Sequence, residues 1–305
     1  MKMRFNFFSI IVLSLLVLSL FVVSGQQGCK KEEKAVFNTT ALTMNFVADA
    51  PPTQLVSGES YPIYVDVKNE GGYDIAQGNA HFFLSGIGEN LEGVTLHLQN
   101  VNILNKKTSV QEGGKERLTF ASQATPPIRN LPAEFNFTIR VDSCYKYATL
   151  TQTSICVGKG NGICSISGEK IVTGSNSNAP LQITSLTENI QGNKLYVTFT
   201  IENKGSGQVY LPALDCVKLQ EQNLDEKLKQ NQVEISVKAE GFSCSLQSNQ
   251  PPYGSVNALN GITSVRTVTC EKLLTETSSY TAPFEIALAY AYTETLPKSI
   301  VILPP

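Results

Sequence analysis

Two histidines, seven cysteines and a scatter of serines and carboxylates are the residues through which this chain could do chemistry. His81 stands in NAHFFLSG and His97 in VTLHLQN, both in stretches that read as strands. A hydrolase triad needs one such imidazole beside a nucleophile and an orienting carboxylate. No GxSxG turn is present to expose a serine, so both are expected to be ordinary strand residues. No CxxC occurs, and Cys156 and Cys164 do not have the spacing of zinc ligands. GKGNG at 158–162 is glycine-rich but lacks the strand–loop–helix setting of a phosphate cradle. The carboxylate pairs Glu32-Glu33 and Asp225-Glu226 fall in polar runs and read as solvated. The tyrosines Tyr61, Tyr64, Tyr73, Tyr145 and Tyr147 are candidates for a sugar-stacking platform or for packing within sheets. These patterns predict a protein without enzymatic activity, with no catalytic, cofactor-binding or metal-binding residues. A formal charge of −2 gives no basic field for nucleic acid.

Cysteine chemistry points instead to a compartment. Lys2 and Arg4 precede FNFFSIIVLSLLVLSLFVV at 5–23, an apolar run between the usual lengths of a secretory signal and a spanning helix. Both readings export the rest of the chain, because the cations hold the amino terminus inside. Cys29 follows in VVSGQQGCKKEEK, the layout of a lipoprotein signal, although only Gly28 of the three preceding residues fits that pattern. Cys29 is therefore the expected lipid anchor. An uncleaved signal anchor and a cleaved, secreted chain are the alternatives. The six remaining cysteines, Cys144, Cys156, Cys164, Cys216, Cys244 and Cys270, are expected to form disulfides in an oxidising compartment. Asn38-Thr39-Thr40 and Asn136-Phe137-Thr138 match the glycosylation triplet, a weak signal.

The elements that would position these residues are strands. Val, Ile, Thr, Tyr and Phe fill the apolar patches, and Gly, Asn, Ser and Pro separate them. The chain also reads twice. IYVDVKNEGG at 63–72 matches VTFTIENKGS at 197–206, with Asn69 over Asn203. Both alternate apolar with polar residues and then break at Asn-x-Gly, where positive backbone angles are expected. The segment 133–157 likewise matches 282–302, with Tyr147 over Tyr292, and each is expected to be a strand–turn–strand hairpin. VEISVKA at 233–239 and GFSCSL at 241–246 read as further strands. SVNAL at 255–259 and ITSVRTVTC at 262–270 flank Asn260-Gly261, the strongest short hairpin signal. EQNLDEKLKQ at 221–230 is the best helical candidate, or a polar loop.

The expected fold is therefore all-β: two tandem immunoglobulin-like antiparallel sandwiches behind an N-terminal apolar signal or anchor helix. The boundaries are 1–28 for the signal or anchor, 29–40 for a tether, 41–170 for the first sandwich, 171–180 for a linker and 181–305 for the second. A hairpin centred near Leu150 would bridge Cys144 to Cys156. Strand neighbours would bridge Cys244 to Cys270, leaving Cys164 for Cys216.

The paired motif, VDVKNEG at 65–71 and FTIENKG at 199–205, resembles CARDB-type (cell-adhesion-related) immunoglobulin-like domains of archaeal and bacterial surface proteins. CYKYATLTQTSICV is similar to segments of archaeal exported proteins with such tandem domains. The resemblance implies a sandwich fold and a role in adhesion, spacing or assembly, and it brings no catalytic residues. The expected function is a membrane-tethered extracellular binding or structural protein. A carbohydrate-binding module and a non-catalytic subunit of a membrane complex are the alternatives. Its partners would be the membrane, through the N-terminus, and a surface protein or glycan, contacted through 86–93, 105–117 or 247–254.

Overall fold

The structure, a computed structural model, describes residues 35–126, 133–159, 163–245, 254–257, 265–275 and 278–304. Cys29, the apolar run and the start of the tether lie outside the described residues. Among the described residues no helix is long and apolar enough to cross a membrane.

The chain is mostly strand. In order it forms β1 (Leu42–Phe46), β2 (Gln54–Val56), β3 (Tyr61–Asn69), β4 (Ala80–Ser85), β5 (His97–Gln99), β6 (Lys115–Ala124) and β7 (Phe135–Val157). Then follow β8 (Leu181–Gln191), β9 (Lys194–Asn203), β10 (Gln208–Tyr210), α1 (Cys216–Gln220), α2 (Leu224–Lys227), β11 (Gln232–Lys238), β12 (Ser243–Cys244), β13 (Gly254–Asn257), β14 (Val265–Leu273) and β15 (Tyr280–Leu303). In β3 and β9 the alternation puts Ile63, Val65 and Val67, and Val197, Phe199 and Ile201, into the core.

Strand pairing repeats as the sequence does. β1–β3–β6 form one sheet and β8–β9–β14–β12 another, so β3 and β9 are each flanked by corresponding neighbours. The third sheet runs β13–β11–β15–β7–β4–β5. Its halves match as well, since β11 pairs β13 and β15 while β4 pairs β5 and β7.

The expected hairpins are absent. β7 is one unbroken strand of 23 residues and β15 one of 24. They pair with each other antiparallel from Phe135↔Ile302 to Val157↔Tyr280. The turn expected near Leu150 does not form because KYATLTQTS contains no Gly, Pro, Asn or Asp to turn it. Leu296-Pro297 does not turn either. Val301 N–H points away from β7, donating to Thr53 carbonyl. Pro297, four residues earlier, directs its nitrogen to the same side, where among the described residues no strand pairs with β15 between the pairings of β10 and β2. Proline is tolerated at such an open edge.

This pairing has a local two-fold axis. Tyr147 and Tyr292 are 145 positions apart, as are Lys146 and Ala291, and Lys146 faces Ala291 across the ladder. The C-terminal part of each long strand therefore serves the other half. Around the axis Tyr145, Tyr147, Tyr290 and Tyr292 interlock at centroid distances of 5.8–6.3 Å, three of the pairs edge to face and Tyr147–Tyr290 tilted. All four are buried in a hydrophobic cluster that runs through both halves. Residues 168–180 lie along β7, with Ser177 N–H donating to the Leu150 carbonyl and Ile171 buried.

The Asn-x-Gly motif has a different cause from the one expected. Asn69 Oδ1 accepts from Gly71 N–H, and Asn203 Oδ1 from Gly205 N–H, each at 3.1 Å. Neither glycine has a positive φ. Instead a Cβ at Gly71 would overlap the Tyr147 hydroxyl, and one at Gly205 that of Tyr292. Those hydroxyls accept from Tyr73 N–H at 3.2 Å and Gly207 N–H at 2.8 Å. Glycine is needed here for room, so that a buried phenol can reach backbone.

Three more expectations are corrected. Cys144 bridges Cys216 and Cys156 bridges Cys164, because β7 stays straight and places Cys144 and Cys156 far apart along one strand. The Cys244–Cys270 bridge forms as expected, between register partners in β12–β14. The strands flanking Asn260-Gly261 do not pair as a hairpin: β13 joins β11 in one sheet and β14 joins β9 in another. Residues 258–264 between them lie outside the described residues. Glu226 is buried, taking Asp215 N–H at 2.8 Å and Lys229 Nζ at 2.7 Å.

Candidate functional site: a polar cleft over the junction

One departure from the repeat builds a cavity. Between β9 and β11 the second half carries β10, α1 and α2, where the first half has only the short link from β3 to β4. Asp215 starts α1 by accepting from Val217 and Lys218 N–H at 3.0 and 3.1 Å. The Lys218 N–H in particular holds its carboxyl below the usual range. Asn223 caps α2 in the same way. The Cys144–Cys216 bridge pins α1 to β7, and Phe83, Tyr210, Leu214 and Ala291 pack around it as a second small core.

Beside this bridge lies a cleft of about 620 Å³. Its walls are Asp142 and Ser143 of β7, Thr293–Thr295 of β15, Ser206–Gln208, and glutamines of the inserted segment. Gln208 Oε1 accepts from Tyr210 hydroxyl at 2.9 Å and from Gln230 at 3.1 Å, which fixes one wall. Thr295 hydroxyl donates to Asp142 at 2.6 Å. Glu294 accepts from the buried Tyr145 hydroxyl at 3.3 Å and from Ser206. Burial pushes the Glu294 carboxyl above the ordinary carboxylate range.

The two histidines, on the paired strands β4 and β5, meet. His81 Nδ1 and His97 Nε2 are 3.1 Å apart, with the rings within 5° of parallel. Phe83 stacks on His97 at 4.5 Å. The ring centroids are 5.3 Å apart, so the nitrogens face each other almost in line, as in one imidazole N–H bonding the next. Burial, then the charge of His97, lowers the His81 pKa. Gln99 Nε2 also lies 3.3 Å from His81 Nδ1. Among the described residues no serine is seen hydrogen-bonded to either ring.

Tyr145 and Tyr147 are core residues, so neither presents its ring at the surface. Tyr73 is partly exposed and packs edge-on to Tyr147 at 5.7 Å. A second hollow of about 630 Å³ lies over β1–β3–β6. Among the charges that line it, Arg117 pairs with Asp66 at 2.7 Å and Lys68 with Glu70 at 2.5 Å. Among the described residues no group of three or more His, Cys, Asp or Glu could hold a metal ion. Of the loops expected to make contacts, 86–93 and 105–117 are described, whereas 247–253 lie outside the described residues.

Glu294 was not legible as a site residue from its immediate surroundings. The signal that finds it is the repeat: 145 positions earlier stands Thr149, a neutral residue. Three bridges suit an oxidising compartment outside the reducing cytosol.

No protein-family model matches the chain, and no curated protein matches it. Among solved structures it is similar to a secreted serine protease, VesC, from Vibrio cholerae, at 10% identity and a TM-score of 0.19. That alignment covers 83% of this chain, which spans half the length of the protease. A likeness this slight carries no argument about fold or activity.

Proposed function

We propose that the chain is an exported, non-catalytic binding or structural protein, tethered to a membrane by its N-terminus and built as two immunoglobulin-like sandwiches. In each half the three-stranded order β1–β3–β6 or β8–β9–β14 stands for one sheet of such a sandwich, and β4–β7 or β11–β15 for the centre of the other. The last strand, normally joined to its predecessor by a hairpin, comes from the opposite half. β2 runs parallel to the end of β15, a further feature in keeping with this reading.

The observation that carries the proposal is the exchange of β7 and β15. A pair of sandwiches sharing a ladder of 23 residues has no hinge at its centre, about 75 Å of continuous strand. That suits a spacer which holds its end loops at a fixed distance from a membrane. The role in adhesion or assembly is supported by the resemblance of the repeated motif and by the bridges.

Fractionation and native mass spectrometry test it. The full chain is expected in the membrane fraction with a lipid adduct on Cys29, and Cys29→Ala should release it. Retention of Cys29→Ala with Met1 intact would favour an uncleaved anchor. Surface cross-linking is expected to join the loops at 86–93 or 105–117 to one recurring partner. Hydrolase activity that disappears in His81→Ala would end the non-catalytic reading.

A further inference from the structure

The cleft beside the Cys144–Cys216 bridge holds a carboxyl that the scaffold does not require. Tyr145 and Tyr290 are equivalent by the 145-residue repeat, and so are Glu294 and Thr149. The Tyr290 hydroxyl meets Thr149 Oγ1 at 3.1 Å, and the Tyr145 hydroxyl donates to Glu294 at 3.3 Å. A threonine therefore satisfies the buried phenol in one half, while the other half uses an ionisable group that opens into a cleft.

That carboxyl also lacks the cation that several other shielded glutamates have. Four other shielded glutamates hold a lysine: Glu188 has Lys170 at 3.6 Å, Glu226 has Lys229 at 2.7 Å, Glu70 has Lys107 at 2.6 Å, and Glu202 has Lys204. Glu294 has hydroxyl donors, Tyr145 and Ser206, and among the described residues no cation within salt-bridge distance. A desolvated carboxylate without a cation is costly, and an incoming one relieves it. Asp142, on the neighbouring strand, adds a second negative charge to the same cleft, and Lys227 is the one lysine among the residues that line it.

We infer that this cleft binds an alkylammonium group, with Glu294 as its principal anionic contact and Asp142 as a secondary one. An ammonium brings three donors and no acceptor, which suits a carboxylate with open lone pairs beside amide and hydroxyl oxygens. The volume accommodates a short diamine or a lysine side chain.

Calorimetric titration of the full chain tests this with three probes: putrescine, the peptide acetyl-Gly-Lys-Gly-amide, and glucose as an uncharged control. One or both amines should bind with a Kd of about 0.1–1 mM. Glu294→Thr installs the residue the repeat already tolerates, so the fold is retained, as its unfolding curve will report. That variant should weaken amine binding by about tenfold or more, and Asp142→Asn by less. Stronger binding of putrescine assigns the site to free amines, and of the peptide to a protein side chain. No binding of either amine, unchanged affinity in Glu294→Thr, or glucose binding as tightly as the amines would overturn the inference. Because the site stands on the cleft alone, such a result leaves the tethering and spacer roles untouched.

Discussion

At the scale of single residues, the packed phenols explain the glycines. Gly71→Ala is expected to destabilise the fold by about 1–3 kcal/mol, because a Cβ there would overlap the Tyr147 hydroxyl and crowd Asn178 and Ala41. Tyr147→Phe removes that hydroxyl and its bonds to Tyr73 N–H and Asn69, at about 1 kcal/mol. The double variant should be less destabilised than the two changes added, since one relieves part of the overlap the other creates. Urea unfolding of the four proteins checks this, and strict additivity would refute it. Glu294 makes a pH-dependent prediction. Its carboxyl pKa is raised in the folded state, chiefly by burial. Between the unfolded and folded values the native state binds more protons, so stability falls as pH rises through that window. Glu294→Thr should therefore raise the melting temperature at pH 7 by about 2–4 °C, with the gain vanishing towards pH 4. A gain independent of pH would place the strain elsewhere. Glu188 shifts in the same direction for the same reason and blunts acid denaturation further.

At the scale of elements, the bridges do unequal work. Cys144–Cys216 spans 72 positions and Cys156–Cys164 spans 8. Closing the longer loop restricts the unfolded chain more, which the entropic model puts at about 4 kcal/mol against about 2.5 kcal/mol. The Cys144→Ser, Cys216→Ser double variant should thus lose more stability than the Cys156→Ser, Cys164→Ser one. It should also loosen α1 and raise hydrogen exchange around 214–222, since the bridge fixes that segment to β7. Equal losses, or unchanged exchange, would mean the inserted segment is held by its small apolar core alone. The long strands follow from the absence of turn residues at 146–154 in the middle of β7 and from the open edge at Pro297, not from unusual strand propensity.

At the scale of the whole molecule, the shared ladder makes the two halves one body. A protease site placed after Gly174, where added bulk meets nothing within 4 Å, would cut the connection between β7 and β8. The cut halves should stay together on size exclusion even after reduction, because β7 and β15 remain paired along their length. Independent tandem domains would separate once Cys144–Cys216 is reduced. Much of this molecule was determined by local sequence. Alternation in 63–69 and 197–203 requires strands with one buried face, and the matching Asn, Gly and Tyr positions mark two equivalent halves. Those are short-range properties, set by side-chain periodicity along the chain. Where each long strand goes past Lys146 or Ala291 was decided by the tertiary structure alone. Within one half, a hairpin and an exchanged strand bury the same side chains and make the same ladder bonds. The choice rests on a partner more than a hundred residues away. The pairing of Cys144, with a cysteine 72 positions on, and the cleft around Glu294 likewise depend on which strands come together.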